Sequence, residues 1–411
     1  MDNIAGTPVV GTNFFGRDKE AAVLVETLVN DDVLLLGPRR IGKTSIARAV
    51  MTLVRAKGWR AVEINVASCE DERGFLEKLD EALNPELASL GTRIIGSIGN
   101  AMSGVTGRIK SLKIPIPGAG TFGVELGNGV DTEDWTKVGC ELLQLIGQVE
   151  QRWLVYLDEL PIMLFAIMRS DPTNGVQRVR RFLDWFRNDV RALPGAQAVR
   201  WLVTGSVGLD TLVQQHGMAD TINSLSHRSL PPYSEPVAVG MLNALATSYG
   251  IALDPLDARA VVDALHWPQP YYLQIAFNHL RELVKANPTT KPGELIELAI
   301  AKMIEPGSDN DFHHWEKRLT QQLGHANGGH ARALLTIAAK DPNGARPEIL
   351  LAALQERMPN VPPDDALAVF IDLRDILIRD AYWWSDPTLE AKRYRFRLEP
   401  LRRWWIGRNT L

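Results

Sequence analysis

Residues 33–44 read VLLLGPRRIGKT: an unbroken apolar run, a loop bracketed by glycines, then a Lys-Thr pair opening an amphipathic stretch. This order restricts the chain to a buried strand, a tight loop and a helix. Gly37-Pro38-Arg39-Arg40-Ile41-Gly42-Lys43-Thr44 fits the spacing G-x-x-x-x-G-K-[ST] in the context that pattern requires. Glycines let successive backbone N–H groups turn inward around phosphate oxygens, and the helix N-terminus adds its dipole. Lys43 supplies a point charge for terminal phosphates, and the Thr44 hydroxyl is a hard oxygen ligand for Mg2+.

The rest of the first half alternates apolar runs with amphipathic stretches, which predicts a parallel sheet covered by helices. Strands are expected at Val33–Gly37, Trp59–Val66, Arg152–Leu160 and Val199–Ser206, with a helix from Lys43 to about Lys57. Near-continuous apolar residues in such runs suit strands buried on both faces. Around 91–130 the rhythm breaks. Ten glycines fall there, and Ile114, Ile116, Phe122, Val124 and Leu126 alternate about a Pro-Gly turn, predicting an inserted β-hairpin.

A phosphate loop needs an acidic partner at the end of another buried strand. WLVYLDE, residues 153–159, supplies Asp158 to hold Mg2+ and Glu159 to orient an attacking water. The fourth strand ends in Thr204-Gly205-Ser206, where Thr204 or Ser206 either senses the γ-phosphate or simply closes a strand. Arg39 and Arg40 in the loop either touch phosphate or remain solvated.

The second half is helical. Amphipathic helices are expected at Ala238–Ser248, Leu256–Leu265 and Tyr271–Ala286, then a polar boundary at Glu305–Asp311. Further helices near Phe312–Leu323, His330–Ala339, Pro347–Arg357 and Ala366–Leu377 precede two strand-like runs, Ala381–Trp384 and Arg393–Leu398, the order of a winged helix. A winged helix suggests DNA, but Asp311–Leu411 carries fifteen Lys/Arg against thirteen Asp/Glu. Only Lys392–Arg408 is locally basic, as a phosphate-contacting wing or as half-buried strand residues whose arginines snorkel. Five arginines at 178, 180, 181, 187 and 191 are expected outward on one helix, as a charged solvent face partly offset by Asp184 and Asp189 or as a surface that meets phosphate or an acidic partner.

Composition removes other classes. With 45% apolar and 23% charged residues and a net charge of −4, the 411-residue chain is globular, without a global basic field. Two cysteines, Cys69 and Cys140, exclude a disulfide scaffold and suit a cytoplasmic location. No run is long and apolar enough to predict a membrane span or a signal peptide. His313, His314, His325 and His330 cluster in sequence but lack the register of metal ligands.

Around these residues the chain resembles the archaeal-type STAND P-loop ATPases, relatives of AAA+ and origin-recognition-like ATPases. Phe15-Gly16-Arg17-Asp18-Lys19-Glu20 is similar to their N-terminal motif, GPRRIGKTS through Ser45 to Walker A, LVYLDEL to Walker B and LVTGSVGL to their fourth strand. LSHRS with LPPYS, and WPQPYYLQ in the lid, match further motifs, with His227 and Trp267-Pro268 standing where the family has glycine and Pro270 retained. The resemblance implies an α/β P-loop NTPase core of the ASCE/AAA+ kind over 1–234, with the insertion at about 91–130. A helical lid over 235–305 and an α+β winged-helix domain over 306–411 would follow. It also implies ATP/ADP and Mg2+ as cofactors, with Gly16 and Arg17 beside the adenine and Pro270 contacting nucleotide. Arg228 is then an arginine finger or nucleotide sensor, or else a structural ion pair.

The expected function is an ATP-dependent switch acting on a protein partner or its own assembly. The alternatives are an oligomeric DNA-binding ATPase and a nucleotide-controlled interaction module with negligible turnover.

Overall fold

The computed structural model describes residues 1–88, 114–115, 121–122, 135–147, 149, 151–205, 208–305, 310–385 and 391–409. Two compact units emerge, one of residues 17–37 and 43–230, the other of 1–16, 38–42 and 231–411.

In the first unit β1 (Val33–Leu36), β2 (Arg60–Asn65), β5 (Trp153–Asp158), β6 (Val199–Thr204) and β7 (Ser226–Ser229) form one parallel sheet in the order β2-β5-β6-β1-β7. All six residues of β5 are buried, as a strand covered on both faces requires. The sheet is wrapped by α1 (Asp18–Leu28), α2 (Lys43–Ala56), α3 (Glu72–Ala88), α4 (Trp135–Gly147), α5 (Leu160–Ser170), α6 (Gly175–Asp184) and α7 (Leu209–Gln215). Insertion of β6 between β1 and β5 matters for function, because it sets a third strand end between the loop strand and the acidic strand.

The sequence predicts four strands and the sheet has five. Ser-His-Arg-Ser of β7 is mostly exposed and joins the sheet edge beside β1 through backbone bonds, so no apolar pattern announces it. The expected hairpin is represented by two residue pairs, Ile114 with Phe122 and Pro115 with Thr121, in strands β3 (Ile114–Pro115) and β4 (Thr121–Phe122). Ile116, Val124, Leu126 and the preceding glycine-rich stretch lie outside the described residues.

The arginine-rich stretch keeps its arginines at the surface as expected, with Arg180, Arg181 and Arg191 exposed and Arg178 and Arg187 half-buried. After α6 the chain makes a π-helical turn at Trp185–Asp189. Arg178 pairs with Glu72, Arg180 and Arg187 with Asp220, and Arg191 with Asp32. From the surface these arginines tie α6 and the following turn to other elements of the unit.

The second unit contains α8 (Glu235–Tyr249), α9 (Pro255–Leu265), α10 (Pro270–Ala286), α11 (Ile296–Lys302), α12 (Asn310–Ala339), α13 (Pro347–Arg357) and α14 (Pro363–Arg379). Then β8 (Trp383–Trp384) pairs antiparallel with β9 (Arg395–Phe396), an Ala345–Tyr394 bridge adds a third short edge, and α15 (Glu399–Asn409) follows. This is the winged helix. The α12 stretch is broken at Gly324, whose φ of 72° and ψ of 180° are not helical, into two helices, as the sequence predicts. The basic segment expected as a strand and tail instead continues into α15, because Leu401, Trp404 and Trp405 share a buried helical face. One hydrophobic core runs from Tyr233 in front of α8 to Trp405 in α15. Tyr272 stacks on Phe312 with centroids 5.5 Å apart, and its hydroxyl accepts from Trp315 Nε1 at 2.7 Å. Tyr382 in turn donates to the Trp315 carbonyl at 2.6 Å.

Candidate nucleotide site

Within the sheet unit the loop closes on itself through its lysine. Lys43 is buried, and its Nζ donates to the Gly37 carbonyl at 2.7 Å, so the ammonium spans the loop's two ends. Gly37 and Gly42 adopt φ of 151° and 101°, outside the usual range of an L-residue, and nothing lies within 4 Å of a Cβ built on Gly42. Arg40 at φ 67° adds a left-handed turn, which helps aim consecutive N–H groups into a concavity.

The first residues of α2 meet the acidic strand. Thr44 Oγ1 donates to Asp158 Oδ2 at 3.2 Å, and Thr204 Oγ1 makes a short bond to Asp158 Oδ1. Thr204 is fully buried at the end of β6, so its hydroxyl serves Asp158. Ser206 lies outside the described residues. Among those described, Asp158 meets only hydroxyl donors, although just 5% of it is exposed. A buried carboxylate without a cationic side-chain partner, held against a threonine hydroxyl, is a hard-oxygen donor set suited to Mg2+. The donor set therefore fits the metal that the loop implies.

Glu159 follows immediately in a left-handed conformation, φ 60°, as the N-cap of α5. A non-glycine residue held there costs about 1–3 kcal/mol, strain that concentrates at functional positions. Its Oε2 is buried and makes no hydrogen bond. Arg17 is buried and pairs with Glu20 at 3.0 Å. Arg228 on β7 reaches Thr27 Oγ1 of α1 at 3.2 Å, and no carboxylate pairs with it among the described residues. The structure thus gathers Thr44, Asp158 and Thr204 by direct contacts, closes Lys43 onto Gly37, and sends Arg228 to α1.

In the second unit the middle of the loop has its own contacts. Gln269, fully buried, donates its side-chain amide to the Arg39 carbonyl at 2.9 Å. The Arg40 guanidinium lies 4.0 Å above the ring of Tyr271. Both partners flank Pro270, the first residue of α10, whose fixed φ suits a helix start. The Arg39 side chain is exposed, while Ile41 is fully buried. Gly16, at φ 66°, packs so tightly against Val237 that a Cβ would collide with it, and Tyr233 OH donates to the Phe15 carbonyl at 2.7 Å. Sequence reasoning singled out neither Gln269 nor Tyr156 of β5. A lone glutamine before a helix and a lone tyrosine in an aliphatic strand carry no pattern of their own. The one available signal was a hydroxyl two residues before Asp158, hence on its face of the strand.

No protein-family model matches the sequence, and no curated protein matches it. Among solved structures the chain is similar to the Walker-type ATPase PABY2304 of Pyrococcus abyssi, with a TM-score of 0.64 at 16% identity over 98% of this chain and 99% of that one. It is also similar to the Aeropyrum pernix ORC2 protein in ADPNP–ADP complexes, with a TM-score of 0.56 at 15% identity over 97% and 95% of the two chains. The fold is therefore that of the archaeal Walker-type and origin-recognition-like ATPases, a P-loop core followed by a helical region and a winged helix. Among the described residues no helix is long and apolar enough to cross a membrane.

Proposed function

We propose that the chain binds and hydrolyses Mg2+·ATP and uses nucleotide state to control association with a protein partner or with its own copies. The observation that carries this reading is Asp158, a buried carboxylate held by Thr44 and Thr204 at strand ends beside a lysine-closed glycine loop. Lys43 and the loop amides would bind the phosphates, and Thr44 and Asp158 would hold the metal. When bound, Mg2+ supplies charge neutralisation to the β- and γ-phosphates. Glu159, with an unengaged carboxylate oxygen, would accept the proton of the attacking water. The known likeness of the fold extends to an ATPase and to a protein solved with ADPNP and ADP, which agrees with this assignment.

A switch needs a route away from the phosphates. The Arg39 carbonyl and Arg40 side chain are joined to Gln269 and Tyr271, and α10 shares its core with the winged helix through Tyr272, Trp315 and Tyr382. A loop that rearranges around phosphate would thereby bias one packed body rather than a string of hinged pieces. The bias requires different ATP affinities in the two arrangements, since equal affinities shift no population.

Duplex binding finds less support. Of the basic segment, Arg393 is paired with Asp341, Arg402 and Arg403 with Glu399, and Arg408 with Glu316. Arg395 covers Trp384, and Arg397 donates to the Trp383 carbonyl. Charge neutralised internally contributes little to counterion release.

Calorimetric titration with Mg2+·ATP tests the reading. Lys43→Ala should weaken binding at least about 100-fold, near 2.8 kcal/mol. Unchanged affinity would overturn the assignment.

A further inference from the structure

Tyr156 is the buried polar group nearest the acidic pair that the proposed chemistry leaves without a task. It lies two residues before Asp158 on β5, so both side chains leave the same face. From β6, Leu202 pairs with Tyr156, which puts Thr204, two residues further on, on that face as well. From β2, Glu63 stands opposite Tyr156. Helix α2 runs over this surface: Thr44 donates to Asp158, and one turn later Arg48 forks onto Glu63 at 2.9 Å. The phenol is thus roofed by α2 and ringed by Thr44, Arg48, Glu63, Asp158 and Thr204.

The ring is fully buried, and its hydroxyl makes no hydrogen bond. Thr44, Thr204 and Asp158 lie on the same side of the sheet, yet none meets it in hydrogen-bond geometry. A phenol keeps its proton at neutral pH, so the hydroxyl remains available as a donor. Phenylalanine would fill the same space without burying an unmet polar atom, and buried polar atoms without partners are rare because they are costly. An orphaned donor facing a carboxylate that already holds two threonine hydroxyls is a donor in reserve.

We propose that Tyr156 is a positioning residue for the Thr44–Asp158 pair. Its hydroxyl donates to Asp158 when the Thr44 oxygen turns to Mg2+, holding the carboxylate in place as its hydrogen-bond partners change. This rests on the Mg2+·ATP reading above and adds a residue to that site.

Tyr156→Phe tests it with two readouts other than turnover. Without nucleotide or metal, its thermal midpoint should equal or exceed that of the unaltered protein, because an orphaned hydroxyl has gone. ATP affinity in EDTA should be unchanged, whereas the gain in affinity on adding Mg2+ should shrink by about 5–10-fold, the scale of one ordinary net hydrogen bond. An equal Mg2+ gain in both proteins would overturn the proposal. So would a lower midpoint accompanied by an equal loss of ATP affinity with and without Mg2+, the mark of a purely structural residue. If the unaltered protein binds ATP but gains nothing from Mg2+, the metal reading and this proposal both fall. If it gains and the variant gains equally, only the role of Tyr156 falls.

Discussion

Two buried aspartates, one in each unit, are solvated in opposite ways. Asp380 follows α14, is 1% exposed, and faces the Arg318 guanidinium at 3.2 Å. Asp158 ends β5, is 5% exposed, and among the described residues receives only threonine hydroxyls. The first carboxylate has its countercharge built into the fold. The second is held by dipoles and lacks a positive partner of its own, which is the condition in which an incoming cation gains most. Burial alone does not distinguish a structural acid from a functional one. The charge of its partners does.

Replacing each aspartate by alanine should separate the two roles sharply. Asp380→Ala removes the carboxylate facing a guanidinium that is 7% exposed, and should cost about 3–5 kcal/mol in chemical denaturation. Asp158→Ala leaves only neutral hydroxyls behind and should cost about 1–2 kcal/mol, while eliminating any Mg2+-dependent gain in ATP affinity. Equal losses of stability would erase the distinction. The next effect concerns rate rather than folding. Glu159→Gln preserves shape and should leave ATP affinity within about threefold, while slowing hydrolysis on the order of 100-fold, as loss of a general base does. Wild-type turnover in this variant would remove Glu159 from the chemistry.

The same contrast explains what could be read from sequence. The loop strand, the acidic strand and the winged helix announce themselves because apolar residues recur at strand or helix spacing beside a fixed polar motif. Edge strand β7 does not, since Ser226-His227-Arg228-Ser229 is held by main-chain bonds to β1 and buries little. Gly37 to Thr44 and Asp158-Glu159 were legible because their spacing is dictated by phosphate and metal geometry. Tyr156 and Gln269 were not, because their significance lies in what stands opposite them in space. The partners of the arginines near 180 and 400 were not legible for that same reason: Asp220, Asp32, Glu399 and Glu316 come from elsewhere in their units or from the neighbouring helical turn.

A third buried carboxylate sharpens the comparison through pH. Glu399 opens α15 and takes both Arg402 and Arg403, with Arg402 Nη2 at 2.6 Å. Burial pushes its carboxyl up, but the hydrogen bonds and charge of Arg402, with help from Arg403, outweigh this and hold it below the usual carboxylate range. A folded-state value below the unfolded one means that stability is gained above about pH 4.3, the ordinary glutamate value, and lost as pH falls through the lower folded value. Glu399→Gln keeps the side-chain volume but abolishes that titration. It should lower the thermal midpoint at neutral pH and flatten the decline below about pH 4.3. Melting curves from pH 7 to pH 3 for both proteins would measure this. Parallel declines would show that Glu399 is not among the groups whose ionised form stabilises the winged helix, and the claim that this unit carries its own countercharges would then rest on Asp380 alone.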